Sequence, residues 1–211
     1  MTVSLWRAAA HRRSRHQAGG DGVVIAPMRR RHLKSVVAIE QQVFPTPWSL
    51  SLYLSELAMG SNRSYVVALG PGSEVVGYAG LMLAVGEGHV TTIGVSPRWQ
   101  RRGIGRRLLF ELATTARSRG AEDLTLEVRV TNTGAQALYH EFGFAPAGIR
   151  KNYYAEVNED AIVMWAHEIQ SEEYGRRLEL IAGRIGSAGA KPSDGAPAGG
   201  RLSLGEGEPA T

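Results

Sequence analysis

Thr92-Ile93-Gly94-Val95-Ser96-Pro97-Arg98-Trp99-Gln100-Arg101-Arg102-Gly103-Ile104-Gly105-Arg106-Arg107-Leu108-Leu109 runs from a short apolar strand, through a turn at Pro97, into a basic glycine loop that opens directly onto a helix. Glycines at 103 and 105 leave the backbone N–H groups around them uncovered. Those N–H groups are the unpaired donors of the helix's first turn, so an anion placed there gains hydrogen bonds and a favourable dipole. Arg101, Arg102, Arg106 and Arg107 add positive charge at the same end, which suits a pyrophosphate better than a single carboxylate. The loop reads as a phosphate cradle; the plainer alternative is a basic turn that only caps a helix. A P-loop needs Gly-Lys-Ser/Thr, and a dinucleotide fingerprint needs a third glycine; neither is present.

Around that stretch lie 211 residues, 43% of them hydrophobic and 21% charged, enough for one domain with a sizeable core. There is no cysteine, which excludes disulfides, thiolate metal sites and cysteine nucleophiles. The six histidines show no H-E-x-x-H pairing, so no metal is expected. No apolar run reaches the ~18 residues of a membrane span, and residues 1–22 read as a basic disordered tail, not a secretory leader. A cytoplasmic protein is expected. The domain is placed at residues 23–168. Residues 169–211 are read as a C-terminal extension: a short helix with Tyr174, Leu178, Ile181 and Ile185 on one face, then a disordered Gly/Ala/Pro/Ser-rich segment.

Within the domain, Val23–Met28 reads as a strand and Arg30–Val43 as a helix stopped by Pro45 and Pro47. A second helix begins at Ser49, its N-cap, with Leu50, Tyr53, Leu54 and Leu57 as its apolar face. Tyr65–Leu69 and Val75–Leu83 form a hairpin around Gly70-Pro-Gly-Ser73, and Val90–Val95 is the next strand. The helix after the glycine loop carries Ile104, Leu108, Leu109, Leu112 and Ala116 on one stripe and ends at Gly120. Residues 124–130 alternate, Leu124, Leu126, Val128 and Val130 against Thr125, Glu127 and Arg129. Thr133-Gly-Ala-Gln136 reads as a capping box, and Phe144–Ile149 and Ala161–Ala166 are the last strands.

Seven separated segments, in order, resemble the GNAT family of N-acetyltransferases over residues 23–168. They are Phe44-Pro45 with Pro47-Trp48-Ser49, the Gln100–Gly105 loop, Leu126-Glu-Val-Arg129 with Asn132, Ala137-Leu-Tyr139, Gly143-Phe144, Arg150-Lys-Asn-Tyr-Tyr154, and Glu159-Asp-Ala-Ile162. Phe44-Pro-Thr-Pro-Trp48 is longer than the usual Phe-Pro-Trp. The resemblance implies an α/β (α+β) fold with a mixed, mostly antiparallel sheet flanked by helices, whose two central strands splay apart. It also implies acetyl-CoA as co-substrate. Within the family the likeness is to bacterial members that acetylate the N-terminal alanine of a small-subunit ribosomal protein. That makes the N-terminal peptide of a ribosomal protein the expected partner, with no nucleic acid and no membrane required.

The candidate site follows. Ile93, Gly94 and Val95 are expected to present backbone groups to the pantetheine arm, Gly94 by permitting its close approach. Arg101, Arg102, Gly103, Ile104, Gly105 and Arg106 are assigned to the cofactor's phosphates, and Asn132 either contacts the cofactor or simply starts a helix. Glu127 is either a general base acting through water or an ion-pair partner of Arg129 or Arg150. Tyr139 is either the acid that serves the leaving thiolate or a core tyrosine. Trp48, Arg129, Asn152, Tyr153 and Tyr154 are assigned to a narrow slot for an extended peptide end. The competing functions are acetylation of lysine or small amines on the same fold, and a non-catalytic acyl-CoA sensor or ribosome-binding module.

Overall fold

The computed structural model describes residues 22–187, so the tail expected at 1–22 and the segment after Gly186 fall almost entirely outside the described residues. In chain order the elements are β1 (Val24–Pro27), α1 (Leu33–Val43), α2 (Leu50–Ala58), β2 (Arg63–Leu69), β3 (Val75–Ala84), β4 (Glu87–Val95), α3 (Ile104–Ser118), β5 (Asp123–Arg129), α4 (Thr133–Glu141), β6 (Ala145–Tyr154), β7 (Glu159–Ala166) and α5 (Glu172–Ser187). The strands form one sheet in the order β1-β2-β3-β4-β5-β7-β6. Every neighbouring pair is antiparallel except β4 with β5. This is the expected mixed α/β architecture. No helix among the described residues is long and apolar enough to cross a membrane.

One face of the sheet is covered by α3, whose Ile104, Leu108, Leu109, Leu112 and Ala116 are buried against Val66, Ala79, Leu81, Leu124, Leu126 and Val128. Tyr174, Leu178 and Ile181 of α5 enter the same cluster, so the helix beyond residue 168 shares the main core. The other face, under α1 and α2, holds an aromatic cluster: Tyr53 meets Tyr65 and Tyr78 edge-on, with centroids 6.2 and 6.1 Å apart. Glycines make room for these rings. A Cβ on Gly80 would stand 2.3 Å from the Tyr65 ring, and one on Gly94 would stand 2.4 Å from that of Tyr78. Tyr78, the register partner of Gly94 on β3, therefore requires a glycine at 94.

Local differences from the sequence reading have local causes. Leu50 and Leu54 are exposed, and α2 turns Tyr53 and Glu56 inward, because the Glu56 carboxylate accepts from Arg63 Nε at 2.6 Å and the Tyr65 hydroxyl at 2.7 Å. Ser49 does cap α2, accepting from the Leu52 N–H. Helix α4 is capped not by Thr133 but by Asn132, whose Oδ1 accepts from the Ala135 N–H at 3.1 Å. Gln136, read as the far half of a capping box, donates to the carbonyls of Arg129 and Val130 instead. Val130 lies beyond the end of β5 and is exposed.

Glu40 of α1 is 1% exposed, and the Tyr53 hydroxyl donates to its Oε1. Burial pushes this carboxyl above the ordinary range, opposed by the hydrogen bond from Tyr53. A carboxyl raised in the folded state stabilises the fold fully below the unfolded glutamate value of about 4.3 and loses that contribution as pH rises through its folded value. Glu40→Gln keeps the acceptor without the titration. Its melting temperature relative to the parent is expected to climb from about pH 4 to about pH 7; a difference constant across that range would show that Glu40 is not held neutral by burial.

Candidate active site

Parallel pairing of β4 with β5 lasts for three rungs, Glu87 with Asp123, Gly88 with Leu124 and His89 with Thr125. Beyond them β4 carries a bulge: Val90 faces Leu81 and Thr92 faces Gly80, leaving Thr91 as the extra residue. A bulge bends its strand and increases local twist. From there β4 pairs only with β3, and β5 only with β7. The strands part, as the resemblance implied, and a cleft of about 1160 Å³ runs through the gap. Ile93, Gly94 and Val95 line one side and Glu127, Val128 and Arg129 the other.

The glycine loop closes one end of the cleft. Gln100 Nε2 donates to the Val95 carbonyl at 3.1 Å, tying the loop to the end of β4. Arg101 and Gly103 both take positive φ, 62° and 78°, a conformation in which a non-glycine residue is uncommon. Gly103 is the N-cap of α3, and no side chain caps that helix. The first-turn N–H groups of α3 therefore face the cleft with the positive end of the helix dipole behind them. A Cβ on Gly103 would meet only Arg106 Nη1, at 3.9 Å, and one on Gly134, at the start of α4, would stand 3.7 Å from Arg101 Nη1. Arg101 thus lies beside the N-terminal turns of two helices. These residues fit a pyrophosphate. Two arginines counted toward the same charge are elsewhere: Arg102 lies over the Trp99 ring at 4.8 Å and does not line the cleft, while Arg107 is buried and donates to the Val23 carbonyl.

At the point where the strands part stands Glu127, its side chain only 8% exposed. His89 Nε2 lies 3.2 Å from Oε2, and Arg150 Nη2 lies 3.2 Å from Oε1. The hydrogen bond with His89, helped by the charge of Arg150 and opposed by burial, holds the Glu127 carboxyl below the usual range. Arg129 does not pair with Glu127. Its guanidinium lies 4.7 Å from the Tyr154 ring centre and 3.9 Å from Glu159. His89 lies one residue before the strand expected at Val90–Val95, whereas β4 begins at Glu87. The parallel register with Thr125 that brings it to Glu127 is a tertiary fact.

Tyr139 lies on α4 with its ring against Phe144, centroids 5.9 Å apart, and lines the cleft. Burial pushes its phenol up. Its hydroxyl makes no hydrogen bond with any described residue. The remaining walls are Trp48, packed on Tyr53 at 5.3 Å, and the T-shaped pair Tyr153–Tyr154 at 5.1 Å. A bulge between Arg150 and Tyr154 turns that pair toward the cleft. Asn152 sits in this bulge at φ 49°, its N–H bound to Asp160 Oδ1 at 2.8 Å, and does not line the cleft. Asn132 lines it while serving as the α4 cap.

The profile of the acetyltransferase (GNAT) family matches residues 33–144. The chain belongs to that family. It is 39% identical over 154 residues to the N-alpha-acetyltransferase RimI of Mycobacterium tuberculosis, covering 70% of this chain and 94% of the relative. With the [ribosomal protein bS18]-alanine N-acetyltransferase of Escherichia coli it shares 34% identity over 142 residues, 66% of this chain and 94% of that one. The crystal structure of the Escherichia coli ribosomal-protein-alanine N-acetyltransferase superposes with a TM-score of 0.63 at 33% identity, covering 69% of this chain and 94% of its own. This acetyltransferase therefore carries the family's splayed sheet together with its glycine loop.

Side chains added to the loop test the cradle. A Cβ on Gly105 would meet the protein only at Leu138, in ordinary contact at 3.4 Å. Gly105→Val is thus expected to keep the fold and to weaken acetyl-CoA binding on the order of tenfold or more, by filling space before the α3 N-terminus. Gly103→Val is expected to weaken binding and also to lower the melting temperature, because it strains a left-handed residue. Calorimetry showing parental affinity in both variants would remove the cradle.

Proposed function

We propose that this acetyltransferase moves the acetyl group of acetyl-CoA to the N-terminal amine of a protein that begins with alanine, the small-subunit ribosomal protein bS18 being the substrate its relatives' names point to. The observation that carries the mechanism is that Glu127, a carboxylate held ionised, and Tyr139, a phenol with no hydrogen-bond partner among the described residues, line the same cleft where the strands part.

Acetyl-CoA supplies the acetyl thioester, and direct transfer in a ternary complex makes the N–C bond as the C–S bond breaks. The glycine loop and Arg101 hold the pyrophosphate, Ile93–Val95 offer backbone groups to the amide-rich arm, and an N–H near Val95 serves the thioester oxygen. Trp48, Tyr153 and Tyr154 wall the peptide slot, and Arg129, braced on Tyr154, shapes its floor. Glu127 receives the amine's proton through water. Because its carboxyl is depressed it is a weak base, which suits an α-amine better than a lysine. At pH 7 about 10% of an α-amine is neutral, against roughly 0.04% of a lysine amine. Tyr139 hydrogen-bonds the leaving sulfur. A phenol near 10 facing a thiol near 8.5 makes outright protonation uphill by about 2 kcal/mol, and burial steepens it. The contact therefore stabilises developing charge, and the proton follows as the bond breaks.

Kinetics at saturating acetyl-CoA from about pH 6 to about pH 9.5 test these roles. Glu127→Gln is expected to lose on the order of a hundredfold on an Ala-starting peptide near pH 7, with the gap narrowing above about pH 8 as solution supplies neutral amine. Tyr139→Phe is expected to lose on the order of tenfold or more at every pH, since solution has no substitute for its contact. Equal, pH-independent losses would abolish the division of labour. Fast turnover of an N-blocked lysine peptide by the parent would overturn the N-terminal assignment.

A further inference from the structure

Three charged side chains connect the glycine loop to the helix at the far end of the described chain. Arg106 Nε lies 3.0 Å from each oxygen of Glu141, and Nη2 lies 2.9 Å from Oε2. This side-on fork uses one edge of the guanidinium. It leaves Nη1, which has no partner among the described residues and lies 3.9 Å from where a Gly103 Cβ would stand. Glu141, at the end of α4 and 16% exposed, is held on its other side by Arg184 Nη1, 3.1 Å from Oε1. Arg184 belongs to α5, which is anchored by Tyr174, Leu178 and Ile181 in the main core and lies beyond the family-matched residues 33–144.

The arrangement answers two problems of an arginine at an anion site. Free, its long side chain must give up its rotamer freedom when the anion arrives. Fixed by a lone carboxylate, it would carry a neutralising negative charge beside the anion. With Glu141 clamping Arg106 and Arg184 offsetting Glu141, the trio stays net positive while Nη1 is already aimed at the loop.

We propose that Glu141 and Arg184 are positioning residues for the pyrophosphate of acetyl-CoA: α5 steadies Glu141, and Glu141 holds Arg106 with Nη1 turned to the Gly103 loop. The proposal rests on the cradle reading of that loop. It gives α5 a part in co-substrate affinity that is separate from its part in the core.

The test uses the full chain and two donors, acetyl-CoA and acetylpantetheine, the latter having the same reactive end without the pyrophosphate. Glu141→Gln is expected to raise the calorimetric Kd for CoA on the order of five- to tenfold. Arg184→Ala should raise it about two- to threefold, a smaller effect because that arginine is 65% exposed. Arg184→Lys should restore most of the loss. Both losses should appear in KM for acetyl-CoA with kcat kept, and kcat/KM for acetylpantetheine should not change. Equal losses with both donors would reduce the trio to packing and overturn the proposal, as would an unchanged CoA Kd in Glu141→Gln. If Gly105→Val binds poorly while Glu141→Gln binds normally, the tether alone fails; if neither variant loses affinity, the cradle fails with it.

Discussion

Three rungs of parallel backbone pairing join the two halves of the sheet, and the molecule's chemistry depends on their stopping after His89 and Thr125. Continued pairing would close the space in which a pantetheine arm and an amine can meet. The strands are kept apart by packing on each side. The Thr91 bulge bends β4, and Tyr78 and Tyr65 wedge against the glycines of β4 and β3. On the other half, β7 inserts between β5 and β6 and takes the outer edge of β5 from Leu124 to Arg129. Each strand bordering the gap therefore has its stable partner on the far side. The opening is built into the fold.

That opening also sorts the charges. The positive end of α3 and Arg101 lie at the end of the cleft assigned to the phosphates. Glu127 stands where the strands meet, ionised by His89 and Arg150. Tyr139 approaches from α4, its hydroxyl without a hydrogen-bond partner among the described residues. Of the readings of Glu127 left open by the sequence, the ion pair with Arg150 is present, and a carboxylate kept ionised is compatible with the proposed role as base. The Arg129 alternative does not hold, because that guanidinium is taken up by Tyr154 and Glu159.

Much of this was legible in the sequence where local rules are strong. The α3 stripe, the Ser49 cap and the hairpin at Gly70–Ser73 follow from periodicity and turn chemistry. What the sequence did not disclose is which partner each side chain takes. The inward face of α2 is set by Arg63 and Tyr65 reaching Glu56, and not by its leucines. His89 joins Glu127 only through the parallel register. Gly94 reads in sequence as a site for cofactor approach, and the structure adds the ring of Tyr78, its register partner on the neighbouring strand, as a reason for the glycine. Arg102 and Arg107 were grouped with the cradle by proximity in sequence, yet they turn to Trp99 and Val23. The α5 helix was placed outside the domain because the family likeness ends before it, although its apolar face enters the shared core.

The central claim is that this cleft acetylates a protein's N-terminal amine. Mass spectrometry of protein N-termini and lysine side chains, compared between cells with and without this protein, addresses it most directly. The account predicts that acetyl groups disappear from one or a few alanine N-termini, a ribosomal protein among them, with lysine acetylation unchanged. Unchanged N-termini accompanied by acetyl groups lost from lysines would contradict it.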